Sequence, residues 1–234
     1  MHCNYFKTRN SQAIDMKIGY NNKLIPSFLS TKFLGLTINS TLSWRMHVDH
    51  LTTTISTPCN VIRSIKPLIS HETLLLIYHT LFHKVRSYGI IFLANSCHSI
   101  QIFQMHKRVI RIIMGCGTRE SCRILLKKLK ILPLTSQYLL SLLIFVVNYT
   151  DKFFINSEIH NINTRQNSNF HLTSANLDIY QKVAYCSGSK VFNSLPFNVK
   201  KFSNNPRSFK TAVKQFLCMN YFYSLDKYYN NNSK

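Results

Sequence analysis

Apolar and polar positions alternate through residues 32–38 of "KFLGLTINSTLSW", with Leu34, Leu36 and Ile38 on one side and Phe33, Gly35 and Thr37 on the other. A period of two predicts a strand, and a glycine inside a strand marks close approach of another backbone or a ligand. Upstream, "NYFKTR", "AIDMKIGY" and "KLIPSF" read as short strands and turns, broken by Gly19, Asn21, Asn22 and Pro26. From Ser43, the expected N-cap, the period becomes helical. Val48, Leu51, Ile55 and Ile62 recur at helical spacing through Ile65, with a kink expected at Pro58. A second helix is predicted from the cap Ser70, burying Leu74, Tyr78, Leu81 and Val85 and fading near Tyr88 and Gly89.

The third predicted helix spans residues 99–114. Ile102, Met105, Val109, Ile112 and Ile113 fall on one side and Lys107, Arg108 and Arg111 on the other, with no carboxylate on that face. "GCGT" ends it, and a short helix follows in which Cys122, Leu125, Leu126 and Leu129 form a stripe beside Arg123, Lys127, Lys128 and Lys130. Beyond Pro133 comes an apolar helix over residues 135–150. The last third is polar and asparagine-rich over 156–176, then carries "IYQKVAYCSGSKVFNSLP", a basic helix over 206–217 and the tail "NNNSK", expected to fray. The fold class read from this order is α+β, predominantly α: a small N-terminal β-hairpin, a helical bundle and a mixed, basic C-terminal extension, with boundaries at 1–42, 43–150 and 151–234.

Composition changes this picture mainly through charge. The chain is 45% hydrophobic and 12% aromatic, ordinary for a globular protein. Against that, 29 Lys and Arg face 8 Asp and Glu, a net charge of +21, which a polyanionic partner relieves most simply. Nucleic acid leads; an anionic membrane surface and a basic surface without a specific partner are the rivals. The longest apolar run, residues 138–147, is about ten residues and too short to span a bilayer. The N-terminus "MHCNYFKTRN" lacks the apolar core of a secretory signal, so the expectation is an intracellular protein of nucleus or cytoplasm, not secreted and without a transmembrane segment.

Catalytic chemistry finds little local support. Two-metal phosphoryl transfer needs carboxylates close together; Asp15, Asp49, Glu72, Glu120, Asp151, Glu158, Asp178 and Asp226 include no adjacent or motif-spaced pair. His79 and His83 stand one helical turn apart, but without the glutamate of a metalloprotease helix they read as partly buried polar residues. The seven cysteines are scattered without a C-x-x-C pair and read as reduced thiols, so no metal and no cofactor are expected of this chain. The basic residues carry more. Lys107, Arg108, Arg111, Arg123, Lys127, Lys128 and Lys130, extended by Lys200, Lys201, Arg207, Lys210 and Lys214, form a candidate phosphate track whose contacts position a backbone without specifying sequence.

The order of phrases resembles a known family. "KFLGLTINSTLSWRMHVDHL", "LIYHTLFHKVRSYGIIF", "FQMHKRVIRIIMGCGTRESCRILLKKLKILPL", "HNINTR", "YQKVAYCSGSKVFNSLP" and "SFKTAVKQFL" are similar to the segment after the catalytic motifs in reverse transcriptases of non-LTR, LINE-type, jockey-like retrotransposons. The resemblance covers nearly the whole chain. It implies a palm remnant over 1–42, a helical thumb-like region over 43–150 and a basic C-terminal extension over 151–234. In the same terms Lys7 resembles a pyrophosphate-side lysine, and Phe33, Leu34, Gly35 and Leu36 resemble a primer-grip hairpin. The partner implied is an RNA–DNA or DNA duplex held by backbone contacts, together with the upstream reverse-transcriptase portion; magnesium belongs to the full-length family enzyme. The family's catalytic aspartates lie upstream of the residues matched here, so the expectation is a polymerase-family fragment without polymerase activity of its own. The alternatives are a non-enzymatic nucleic-acid-binding module derived from such an element, and a helical interaction protein whose charge is incidental.

Overall fold

Two consecutive residues with positive φ, Leu34 at 46° and Gly35 at 77°, close a hairpin near the start of the chain. The computed structural model describes residues 18–20, 23–26, 28–160, 166–174, 176 and 178–232. It divides the chain into two compact units, Met1–Leu42 and Ser43–Lys234. In the first, β1 (Ile18–Tyr20) pairs antiparallel with β2 (Lys23–Ile25), and β3 (Ser30–Phe33) with β4 (Leu36–Asn39). Phe33 faces Leu36 across the second ladder, so Leu34 and Gly35 are the whole turn. This corrects the expectation of an unbroken strand over 32–38. A two-residue hairpin turn whose twist matches the strands needs φ > 0 at both positions, and that is what Gly35 supplies.

The second unit begins with α1 (Arg45–Ile65), whose N-cap is Trp44 at φ 58° and not Ser43. Trp44 makes no side-chain capping bond; its ring instead stacks on Phe92 at 5.7 Å. Val48, Leu51, Ile55, Cys59 and Ile62 are buried along one stripe, as the sequence period predicts, and Pro58 lies inside the helix. Ser70 caps α2 (His71–Ile77), accepting from the Thr73 amide at 3.3 Å. The helix then widens into a π-helical turn, Tyr78–His83, and continues as α3 (Lys84–Ser87).

That turn corrects the predicted stripe. Leu74 and Tyr78 are buried as expected, but Leu81 is exposed and Val85 half-buried, while Phe82 and Arg86 are fully buried. An α-helical stripe would have run 74, 78, 81, 85. The wider turn takes up one extra residue, so the inward positions after it slip by one. A guanidinium is thereby carried into the core.

After α4 (Ile90–Leu93), α5 (Ser99–Met114) packs on α1 through Ile102, His106, Val109, Ile110 and Ile113. Met105 and Ile112, expected inside, are only half-buried. α6 (Cys122–Lys128) leads to α7 (Leu134–Asn148), which is apolar around most of its circumference because it is covered on more than one side. Past the short α8 (Asn156–Ile159) and α9 (Asp178–Gln181), α10 (Ala184–Asn193) packs on α7, and after α11 (Phe197–Lys200) so does α12 (Pro206–Asn220). A Cβ on Gly188 of α10 would come within 2.7 Å of Val146 on α7, so glycine sets how closely these helices meet. The chain ends its described course in α13 (Leu225–Asn232), where the sequence suggested fraying.

Residues 43–150 and 151–234 therefore share one core, and the boundary expected near residue 150 does not separate two folding units. Ser136 of α7 donates to the Phe222 carbonyl at 3.2 Å, and Tyr228 of α13 donates to the Val191 carbonyl at 2.8 Å. The fold is α+β with helix predominating. Among the described residues no helix is long and apolar enough to cross a membrane.

Candidate nucleic-acid interface

The candidate cations do not form one continuous face. Lys107 and Arg111 of α5 lie against α6: the Cys122 thiol donates to the Lys107 carbonyl at 3.5 Å. Arg111 is engaged within the protein, its Nε and Nη2 donating to the Glu120 carbonyl at 3.0 and 2.8 Å. Glu120 also stands close to the cationic side of α5. Its carboxyl is held below the usual range by the Gly117 amide, then by the Cys116 thiol, with Arg111 adding to the effect. The face is thus less purely cationic than the helix period alone implied. Arg108 points elsewhere; with Arg63 it acts on Cys59, whose thiol burial nonetheless pushes up to about 11. Lys128 lies with Lys66 near Cys116.

Arg123, Lys127 and Lys130 come together with residues from the other end of the chain. Two cavities, of about 560 and 410 Å³, share Lys127 and Tyr221 in their walls. Arg123, Lys227, Asn220, Asn230 and Asn231 complete the polar lining of the larger, and Lys130, Lys214 and Cys218 line the smaller. The result is a trough between α6, α12 and α13 with five cationic side chains and no carboxylate among the described residues of its walls. Arg207, Lys210 and Lys214, all exposed, stand at i, i+3 and i+7 along α12 and carry the charge up to the trough over roughly 10 Å.

Two positions in this trough are strained. Lys130 follows α6 at φ 53°, and Tyr221 ends α12 at φ 50°. Helix ends in the left-handed conformation ordinarily carry glycine, and a side chain there costs on the order of 1 kcal/mol or more. Both side chains line the trough, and such strain collects where a side chain is needed.

The aromatic rings are already committed. Tyr221 and Phe222 are buried, Tyr221 donates to the Leu126 carbonyl at 3.4 Å, and Lys127 lies 5.6 Å over its ring. Tyr223 packs edge-on to Phe103 and carries Arg123 over its face at 5.0 Å; burial pushes its hydroxyl up to about 12. Among the described residues of the trough, no ring stands open for a base to stack on. The trough offers ammonium, guanidinium and amide groups, which suit phosphate and sugar.

Of the remaining sequence candidates, Lys7 lies outside the described residues. Phe33, Leu34, Gly35 and Leu36 form the β3–β4 hairpin, with Phe33 61% and Leu34 72% exposed and Leu36 buried. The rings of His79 and His83 are 5.4 Å apart in the π-helical turn. They adjoin a buried relay in which Arg86 Nη1 donates to His106 Nδ1 at 2.9 Å, which leaves the His106 Nε2 proton for Tyr78 Oη at 2.9 Å. Arg86 Nε and Nη2 find no acceptor among the described residues.

Sequence reasoning did not place Lys227, Asn230, Asn231, Asn220 or Tyr221 at a site. The available signal was weak: Lys227, Asn230 and Asn231 share one face of a helix at i, i+3 and i+4, and Asn230 and Asn231 fall in the tail expected to fray. No protein-family model, curated protein or solved structure matches this chain.

Proposed function

We propose that this chain binds the sugar-phosphate backbone of nucleic acid without reading its sequence, as a thumb-like and C-terminal portion of a LINE-type reverse transcriptase. The carrying observation is the trough: Arg123, Lys127, Lys214 and Lys227 from three helices, and Lys130 just past the end of α6, converge with no carboxylate among the described residues of its walls. The family part of the reading rests on the resemblance of the sequence. Phosphate oxygens would replace the missing counter-charge, and each phosphate neutralised releases counterions, which makes affinity fall with salt.

The test is binding of a labelled RNA–DNA hybrid duplex over a salt series. Affinity should fall linearly on logarithmic axes with a slope of about −0.9 per phosphate contact, and Lys127→Ala/Lys214→Ala should flatten that slope by about two contacts. With primer, template and magnesium no extension above background is expected. Extension would overturn the reading of the carboxylates. Failure to bind any nucleic acid at low salt would favour a helical interaction protein with incidental charge.

A further inference from the structure

The helix formed by α2, the π-helical turn and α3 has two possible inner faces, and the one in use buries a cation. After the turn Phe82 and Arg86 are fully buried, while Leu81 is 43% exposed and Val85 half-buried. Run as an unbroken α-helix from Tyr78, at roughly 100° per residue, the same residues bring Leu81 and Val85 inward and leave Phe82 near the inner edge. Arg86 then lies about 80° from Tyr78, on the side of His79 and His83. This second face buries two more aliphatic side chains and frees a guanidinium whose Nε and Nη2 have no acceptor among the described residues. The residue taken up by the wide turn also has an outlet. The helix ends at Tyr88 in extended backbone, followed by Gly89 at φ 64°, where a glycine adjusts at little cost.

The polar contact that keeps Arg86 inside is a single bond, from its Nη1 to His106 Nδ1 at 2.9 Å. A guanidinium can only donate, so the bond requires an unprotonated Nδ1; a proton there removes the acceptor and sets two cations together in the core. Tyr78, His79 and His83 of the same helix stand near this pair, and Lys214 of α12 acts on His79 and His83. Among the described residues α1 and α7 add no charge that acts on Arg86 or His106. We propose that this helix is a proton-driven register switch: protonation of His106 releases Arg86, the wide turn closes to α-helical spacing, and Leu81 and Val85 take the inner positions. The released Arg86 stands on the side of the helix that Lys214 acts on. This inference is independent of what the trough binds.

The experiment is hydroxyl-radical footprinting of the full chain at about pH 7.5 and about pH 5, with oxidation of each side chain read by mass spectrometry. On acidification Leu81 oxidation should fall several-fold while Arg86 oxidation rises, and both should reverse when the pH is restored. General loosening of the fold raises both together, so the opposite signs belong to the register change. Two variants separate the lock from the slack. His106→Leu removes the acceptor and should give the acid pattern already at pH 7.5. Deletion of Thr80 removes the extra residue, so Leu81 and Arg86 should keep one pattern at both pH values. Leu81 oxidation in the wild type that stays constant or rises with that of Arg86 overturns the switch, whether or not the variants fold. So does an opposite-sign change that persists in the Thr80 deletion.

Discussion

Arg86 shows what one residue can impose on a helical core. Its side chain is fully buried, bonded through one nitrogen to His106, and has no carboxylate partner among the described residues. Leaving donors unsatisfied in the core costs about 1–3 kcal/mol, and a buried charge costs more. The charge also governs its neighbours. Burial first, then Arg86 and His79, press His83 down to about 4; burial, Arg86 and His83 press His106 well below the usual histidine range.

The His83 value, about 4, stands well under the ordinary 6.5 of the imidazole. The folded state therefore binds fewer protons than the unfolded chain at mildly acid pH. Stability is fully present above about pH 6.5 and is lost as pH falls from there toward 4. Carboxylates contribute little to this loss above about pH 5, since there are only 8 in the chain. Thermal melts should accordingly show a lower Tm at about pH 5 than at about pH 7. Arg86→Met should raise Tm at neutral pH and make the acid loss shallower; melts that match the wild type at both pH values would deny Arg86 this role.

At the scale of the element, the π-helical turn is the source of that burial. Removing Thr80, which is exposed and whose hydroxyl only bonds back to the Leu76 and Ile77 carbonyls, would return the segment to α-helical spacing. Phe82 and Arg86 would then occupy the inward positions that Leu81 and Val85 fail to fill. Deletion of Thr80 should leave the far-ultraviolet circular dichroism unchanged and shift the Tm by no more than a few degrees; loss of the cooperative transition would show that the wide turn itself is required. The same turn explains why sequence periodicity succeeded and failed on one helix. Leu74 and Tyr78 were legible because the period holds before the turn. Phe82 and Arg86 were not, because a wide turn leaves no mark in a pattern read at one fixed period. Gly35 was misplaced for a related reason: Leu34, Leu36 and Ile38 alternate well enough to hide a turn between them. At the candidate site, Arg123, Lys127 and Lys130 were legible as local charge, but their meeting with Lys214 and Lys227 depends on contacts between distant parts of the chain.

Across the whole molecule, α7 makes residues 43–234 one unit. The face of α7 that meets α10 and α12 includes Val146, packed beside Gly188. Exposing a few such side chains costs about 1.5–3 kcal/mol each, a large part of the roughly 5–15 kcal/mol that holds an ordinary domain together. A chain ending at residue 150 should bind a hydrophobic dye and melt without a sharp transition, whereas residues 43–234 should unfold in one step. A sharp melt from the shorter chain would show that the first helices carry a core of their own.

Tyr228 gives that shared core a further meaning. Its phenol is fully buried and donates to the Val191 carbonyl, pinning α13 to α10. Lys227, Asn230 and Asn231 flank this anchor on the same short helix. The trough is therefore assembled by docking of the last helix, and its occupancy and the order of that helix are two sides of one equilibrium. A strand lying in the trough would slow hydrogen exchange at the α13 amides, and a chain trimmed back through Tyr228 would retain most of its charge but lose the surface that gives the charge a shape.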